Sequence, residues 1–211
     1  MPRQYIELLV SVQDSIPQWP YHEIDKIVRD SLLSEHGLEW SDVFESMDET
    51  ALGSASIGQC HRAVLKPAWG SNRNDYVGGE VVAVKVMDPN AESRFRHDFQ
   101  VFRWLCRVAL PGWTPFIDEL ERQLMTEFDY KNEAANLDEV RTNMMKSKYS
   151  SLISIPQPHN ALCSKHLLVM EMLEGKKLSD AIEDKLAEAI GVDRREAKDF
   201  INERREGKTT E

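Results

Sequence analysis

The order of apolar and polar positions divides the chain into helical and extended stretches. Residues 21–37, "YHEIDKIVRDSLLSEHG", place apolar side chains at helical spacing at Ile24, Val28 and Leu32. Gly37 follows, and glycine is the residue that most often ends a helix. The pattern therefore predicts an amphipathic helix that ends at Gly37.

Between residues 42 and 87 the pattern becomes extended. Two candidate strands flank the small-residue stretch "LGSASIGQ", and a loop rich in Gly, Asn and Ser then leads into "EVVAVKV". We expect a three-stranded antiparallel meander here. Alternation in its last strand puts Val82, Val84 and Val86 on one face, and Ala83 and Lys85 on the other.

Helical periodicity returns after this meander. The stretch "AESRFRHDFQVFRWLCRVAL" has an apolar stripe, a second helix is predicted from Thr114 to Phe128, and a further one through "KNEAANLDEVRTNMMKS". Next, "LISIPQPHNALCSKHLLVMEML" predicts two strands around a Pro/Asn turn. The tail is helical by propensity, with stops at Gly191 and Gly207. The stripe in the first of these helices consists of Phe95, Phe99, Phe102 and Cys106.

Together these elements predict an α+β fold. It has a five-stranded antiparallel sheet with helices inserted after the third strand, flanked by N- and C-terminal helices. We expect a helical extension over residues 1–40, a sheet domain over 41–175 and a helical tail over 176–211.

Composition narrows the function classes. A formal net charge of -10 and a pI near 5.2 argue against a nucleic-acid surface, which needs clustered Lys and Arg. Three scattered cysteines without a CxxC pair and six histidines without an HExxH motif indicate neither a disulfide framework nor a metal site. No run reaches the roughly 18 apolar residues of a membrane span, and "YIELLVSV", which contains Glu7, does not resemble a signal peptide.

Lys85 is the first candidate for chemistry because it ends a strand built for burial. An ammonium there needs a partner or a route to water. The helix predicted from Thr114 carries Glu121 inside its apolar stripe, and a carboxylate in that position needs a cation. We predict that Glu121 pairs with Lys85. The alternatives are a lysine that extends to solvent and a Glu121 that pairs with Arg103 or Arg122.

A strand Ala-x-Lys followed by a helix glutamate is the arrangement with which protein kinases hold nucleotide phosphates. In that geometry Ala83 is small because an adenine ring lies over it. Upstream, "GSASIGQ" occupies the place of a phosphate-covering loop, where small residues let backbone amides approach anions and Ser54 and Ser56 add hydroxyl groups. The alternative is an ordinary hairpin turn. His61, which follows the loop, could reach a phosphate or simply pack in the hairpin.

Four motifs make the resemblance specific: "ALGSASIGQCHRAVL", "VVAVKVMDP", "EFDYKNEAAN" and "LLVMEMLEG". In this order and spacing they resemble the N-terminal lobe of the UbiB/ADCK atypical kinases, a family that supports coenzyme Q and prenyl-lipid metabolism. The match extends from about Pro2 to Gly175. The resemblance implies a protein-kinase-like N-lobe that binds ATP or ADP with Mg²⁺.

The resemblance also assigns roles to individual residues. Lys85 is the phosphate lysine with Glu121 as its helix partner, and Met170 is the gatekeeper before a hinge that meets the adenine edge. Because Glu127 and Asp129 are two positions apart, about 200° on a helix, we expect them to have separate partners. Glu127 and Asp129 fit the family's Glu-x-Asp motif, and Asn136 completes the "EAAN" that follows it. The remaining implied residues are the loop residues Gly53, Ser54, Ala55 and Ser56 and the hinge residues Glu171, Met172 and Leu173.

Other parts of a kinase are not found in the sequence. The family's Lys-x-Gly-Gln motif, a His-x-Asp catalytic loop and an Asp-Phe-Gly motif are missing, so no catalytic residue is identified. We therefore expect the nucleotide-facing part of a longer phosphotransferase or ATPase, which alone would bind nucleotide weakly or not at all. The alternatives are a non-catalytic scaffold module and, third, a helical interaction domain. By resemblance, the partners would belong to a quinone or prenyl-lipid pathway in a mitochondrion or plastid.

Overall fold

A computed structural model describes residues 18–67, 79–176 and 178–205. The segment "YIELLVSV", most of the predicted hairpin loop and Gly207 lie outside the described residues. In chain order the helices and strands are α1 (Tyr21–His36), α2 (Trp40–Val43), β1 (Phe44–Met47), β2 (Gly53–Ala55), β3 (Gly58–Leu65), β4 (Val81–Met87), α3 (Ala91–Ala109), α4 (Thr114–Leu124), α5 (Tyr130–Met145), β5 (Leu167–Glu171), α6 (Leu178–Ile190) and α7 (Arg194–Arg205).

The five strands form one antiparallel sheet in the order β1-β3-β4-β5, and β2 also pairs with β3. The predicted α+β class with a five-stranded antiparallel sheet is thus confirmed. The division into strands differs, because β1 and β2 pair with opposite ends of β3 and form an interrupted edge. A predicted strand near residue 155 is also wrong, since Pro158 makes only an isolated bridge to Met170. Pro156 and Pro158 lack the N–H groups that a strand donates.

One face of the sheet is covered by α1. Val82, Val84 and Val86 are fully buried on this face, where they pack with Ile24 and Val28 of the helix. The predicted alternation along β4 is therefore confirmed. Each fully buried aliphatic side chain contributes about 1.5–3 kcal/mol to folding, so α1 and the sheet form one core.

The end of α1 confirms its predicted stop. Gly37 adopts a left-handed conformation with φ of 64°, and its N–H donates to the carbonyl of Leu33 at 3.0 Å. The N–H of Leu38 reaches back to the carbonyl of Leu32 at 3.2 Å. Both bonds satisfy carbonyls that the last turn would otherwise leave free.

The opposite face of the sheet packs against α3 and α5. Met87 and Leu168 of the sheet join Phe128 and Tyr130 in a second buried cluster. Phe95 of α3 contacts the ring of Phe128, with 5.2 Å between centroids. Of the stripe residues predicted for α3, Cys106 is buried at 3% exposure, whereas Phe102 is 45% exposed and does not belong to the buried face.

The chain divides into two compact units, with the boundary between Met172 and Leu173. In the second unit, α6 ends at Gly191, whose φ is 75°, and Arg194 of α7 pairs with Asp180 of α6 at 2.8 Å. Of the helices that the structure describes, none has the length and apolar character needed to cross a bilayer.

Candidate functional site

Lys85 lies on β4 with its ammonium against the first turn of α5. Its Nζ donates to both carboxylate oxygens of Glu133, at 2.8 and 2.9 Å. The two side chains are 29% and 36% exposed, so the pair is bonded and still within reach of a ligand from solvent. A partly exposed ammonium whose orientation is fixed by a carboxylate can bind an anion.

The aromatic ring of Tyr130 lies against the ammonium of Lys85. The Nζ of Lys85 lies 4.6 Å from the centroid of the Tyr130 ring, within cation–π range. Burial, together with nearby Glu133, raises the pKa of the Tyr130 phenol, which therefore stays neutral. Cys60 lies directly across from Lys85 on β3, and burial raises the pKa of its thiol although Lys85 opposes that shift.

The predicted pair of Lys85 and Glu121 is wrong. Glu121, on α4, bonds to Arg103 of α3, and the same guanidinium bonds to Asp118 at 2.8 Å. Glu121 is 16% exposed in this contact, so its need for a cation is met between the two inserted helices rather than at the sheet. This was one of the alternatives that the sequence left open.

Glu133 was missed although a signal for it exists. Tyr130, Ala134 and Leu137 recur at i, i+4 and i+7 and pack against the sheet. Glu133 falls on the same side of the helix, three residues after Tyr130. The stripe argument applied to "EFDYKNEAAN" would have identified Glu133 as the carboxylate that faces Lys85.

The small-residue loop is a tight hairpin between β2 and β3. Ser54 pairs with Gln59, whereas Gly53 and Ala55 pair with Cys60 and Gly58. Since cross-strand partners share a face, Gly53 and Ala55 lie on the face of Lys85 and Ser54 lies on the opposite one. The prediction that Ser54 points to a ligand over Lys85 is therefore not supported by the register.

Ser56 and His61 complete this region. Ser56 is exposed at the turn of the hairpin. His61 is fully buried on the face away from Lys85, with Nδ1 at 2.8 Å from the carbonyl of Asp48 and Nε2 at 3.2 Å from the Gln59 amide. His61 thus packs within the hairpin, as the second alternative stated.

The predicted adenine face and hinge lie along β4 and β5. Ala83 is 6% exposed and pairs with Met170. The N–H of Glu171 donates to the carbonyl of Gln157 at 2.8 Å, so this donor is already used. Met172 is half-buried, and Leu173, the first residue of the second unit, is exposed. The assigned roles of these residues stay predictions.

The Glu-x-Asp segment joins α4 to α5. Asp129 caps α5, because its carboxylate accepts the N–H of Lys131 at 2.9 Å. Glu127 is exposed on the preceding 3₁₀ turn, and Asn136 is exposed on α5. The expectation that Glu127 has a partner of its own stays a prediction. Across residues 18–67, 79–176 and 178–205, no group of three or more His, Cys, Asp or Glu side chains could hold a metal ion.

Comparisons with known proteins identify the family of this chain. Residues 11–203 match the model of the ABC1 atypical kinase-like domain. AarF domain-containing protein kinase 1 of Xenopus laevis is 31% identical over 185 residues, which cover 85% of this chain and 32% of that protein. ACTIVITY OF BC1 COMPLEX KINASE 8, chloroplastic, of Arabidopsis thaliana is 28% identical over 92% of this chain and 24% of its own length. The chain thus spans about a third or less of the curated relatives named here.

A solved structure shows the same fold. The complex of Rv3197 with erythromycin from Mycobacterium tuberculosis superposes with a TM-score of 0.61 at 25% identity, over 89% of this chain and 43% of that one. The family model covers nearly the whole chain. The chain belongs to the ABC1 atypical kinase-like family, the UbiB/ADCK group that its motifs resemble.

Proposed function

We propose that this chain is the nucleotide-binding lobe of an atypical kinase, with ATP or ADP as its ligand. The observation that carries the proposal is the bond of Lys85 to Glu133 beside the small residue Ala83. In kinases the strand lysine binds the α- and β-phosphates and the helix glutamate fixes the lysine. In this chain Glu133, and not the predicted Glu121, is the helix glutamate that fixes Lys85.

The site fits an anionic, flat ligand in two respects. The ammonium of Lys85 is partly exposed, and Ala83, on the same face of β4, has only a methyl group as its side chain. Gly53 and Ala55 lie on this face of the sheet as well and add no bulky side chain to it. When Mg²⁺ accompanies the nucleotide, it neutralises phosphate charge.

The test is a titration of this chain with MgATP and MgADP, followed by the ¹H–¹³C resonances of lysine side chains. We expect weak, saturable binding that shifts the Lys85 resonance. Lys85→Ala should abolish saturable binding, whereas Lys26→Ala, which removes an exposed lysine of α1, should leave it unchanged. Equal responses of both variants would refute the proposal, and so would no response of the Lys85 resonance to millimolar nucleotide in the longer protein.

The activity of the longer protein is a further proposal. Family membership and the resemblance support an ATP-dependent phosphotransferase or ATPase in quinone or prenyl-lipid metabolism, in a mitochondrion or plastid. Disruption of the gene should lower the extractable quinone or prenyl-lipid pool, and a complementing copy with Lys85→Ala should fail to restore it. An unchanged pool would refute the metabolic assignment and leave the nucleotide site untouched.

A further inference from the structure

Tyr130 has a position that its hydroxyl group does not explain. It is the first residue of α5, directly after the Asp129 cap, and its side chain is 0% exposed. Within the described part of the chain, its buried hydroxyl has no hydrogen-bond partner. A buried hydroxyl without a partner is a cost to folding. The ring, rather than the hydroxyl, must therefore be the useful part of this side chain.

The ring contacts the ammonium that the proposed site needs. Lys85 Nζ lies 4.6 Å from its centroid and 2.8 Å from Glu133 Oε1. Tyr130 and Glu133 are three residues apart on one helix, so they lie on the same side of α5. The ammonium is thus held by a carboxylate and by a ring face, both supplied by the first turn of α5.

The Tyr130 ring is held in place by its neighbours. A Cβ atom added to Gly58 would lie 2.9 Å from the Tyr130 hydroxyl and 2.3 Å from the carbonyl oxygen of Val86. The turn end of the hairpin therefore lies against the hydroxyl end of the ring, while Phe128 and Leu168 belong to the same buried cluster. The orientation of the ring is fixed by packing on several sides.

We propose that Tyr130 is a positioning residue whose ring holds the ammonium of Lys85 in place for an anionic phosphate. Lysine has a flexible four-carbon stem, and a ligand that must order such a stem loses affinity. A ring and a carboxylate that order Lys85 in advance remove this cost. The inference rests on the proposed nucleotide site, but the ring contact can be measured without a nucleotide.

The test uses lysine ¹H–¹³C correlation spectra of the whole chain, with Lys85 assigned from Lys85→Arg. Wild type should show an upfield ring-current shift of the Lys85 ε-methylene group. Tyr130→Phe should keep this shift and bind MgATP as wild type does. Tyr130→Leu should lose the shift and weaken MgATP binding on the order of tenfold. Phe128→Leu removes a neighbouring ring from the same cluster and should leave the Lys85 shift in place.

Each result decides the proposal. An unshifted Lys85 resonance in wild type overturns it whether or not any variant folds. So does a Tyr130→Leu chain that binds MgATP as tightly as Phe128→Leu, or a Tyr130→Phe chain that loses as much affinity as Tyr130→Leu. If wild-type Lys85 is shifted upfield and does not respond to MgATP in the longer protein either, the proposed nucleotide function fails and the ring contact stands.

Discussion

The partner of Lys85 can be identified by its energetic coupling. In a double-mutant cycle, Lys85→Met and Glu133→Gln remove the two charges with little change of shape, alone and together. A parallel cycle combines Lys85→Met with Glu121→Gln. The structure predicts coupling in the first cycle, and no coupling beyond error in the second, because Glu121 bonds to Arg103.

The size of the coupling follows from exposure and geometry. Lys85 and Glu133 are 29% and 36% exposed, and pairs of this kind contribute about 0.2–1 kcal/mol. Contacts to both carboxylate oxygens place the expected value near the upper end, about 1 kcal/mol. Salt of about 1 M shortens the screening length to roughly 3 Å and should reduce the coupling.

Urea unfolding followed by tryptophan fluorescence is the assay. All five tryptophans precede Leu173, so the signal reports only on the first unit. With a slope of roughly 2 kcal/mol per molar urea, about 1 kcal/mol moves the midpoint by about 0.5 M. A cycle that couples Lys85 to Glu121 and not to Glu133 would refute the structural argument, since the site would then have the pairing that the helix stripe first suggested.

Three further predictions test the surroundings of the site. Burial acts to raise the pKa of Glu35, but bonds from Lys131 and a backbone N–H outweigh it and lower that pKa. Glu35→Gln should therefore cost about 1 kcal/mol in urea unfolding at pH 7. This deficit should begin to shrink as the pH falls below the ordinary carboxyl pKa of about 4.3, and it should vanish only below the lowered pKa of the folded chain. Gly58→Ala should destabilise the chain by several kcal/mol in the same assay, because its Cβ would lie 2.3 Å from a backbone oxygen, whereas Gly53→Ala meets nothing within 4 Å; equal losses would contradict this. Cys163 is 3% exposed and burial raises its pKa to about 11, so iodoacetamide at pH 8 should label it only after unfolding, as mass spectrometry can show.

The elements that follow simple periodicity were predictable. The stripe of Ile24, Val28 and Leu32 indicates α1 because a helix on a sheet buries one face, and Gly37 ends it because glycine readily adopts positive φ. The segment before β5 was not, since its apolar residues suggest a strand while Pro156 and Pro158 prevent regular pairing. The apolar pattern of this segment favours a strand, but its prolines cannot donate the hydrogen bonds of one, and no regular strand forms.

The site was predictable in kind and not in detail. Alternation along β4 identified Lys85 as a cation that needs a carboxylate, and the carboxylate comes from a helix after the strand, as expected. Whether Glu121 or Glu133 faces Lys85 depends on the directions of α4 and α5. The 3₁₀ turn and the Asp129 cap begin a new helix axis, and no periodicity counted from Thr114 continues across that break.

The direction of α5 explains why this one helix contacts both Lys85 and the start of the proposed hinge. Glu133 bonds to Lys85 in the first turn of α5, and Arg141, eight residues on and about 12 Å further along the axis, bonds to Glu171 at 3.3 Å. Arg141 also donates to the carbonyl of Ile155, and Glu171 accepts the N–H of Gln157 at 3.1 Å. A displacement of α5 would therefore disturb Lys85 and Glu171 together, at the proposed phosphate site and at the start of the proposed hinge. A glutamate on α4 has no such connection to the hinge, which is a physical reason for the lysine to pair with α5.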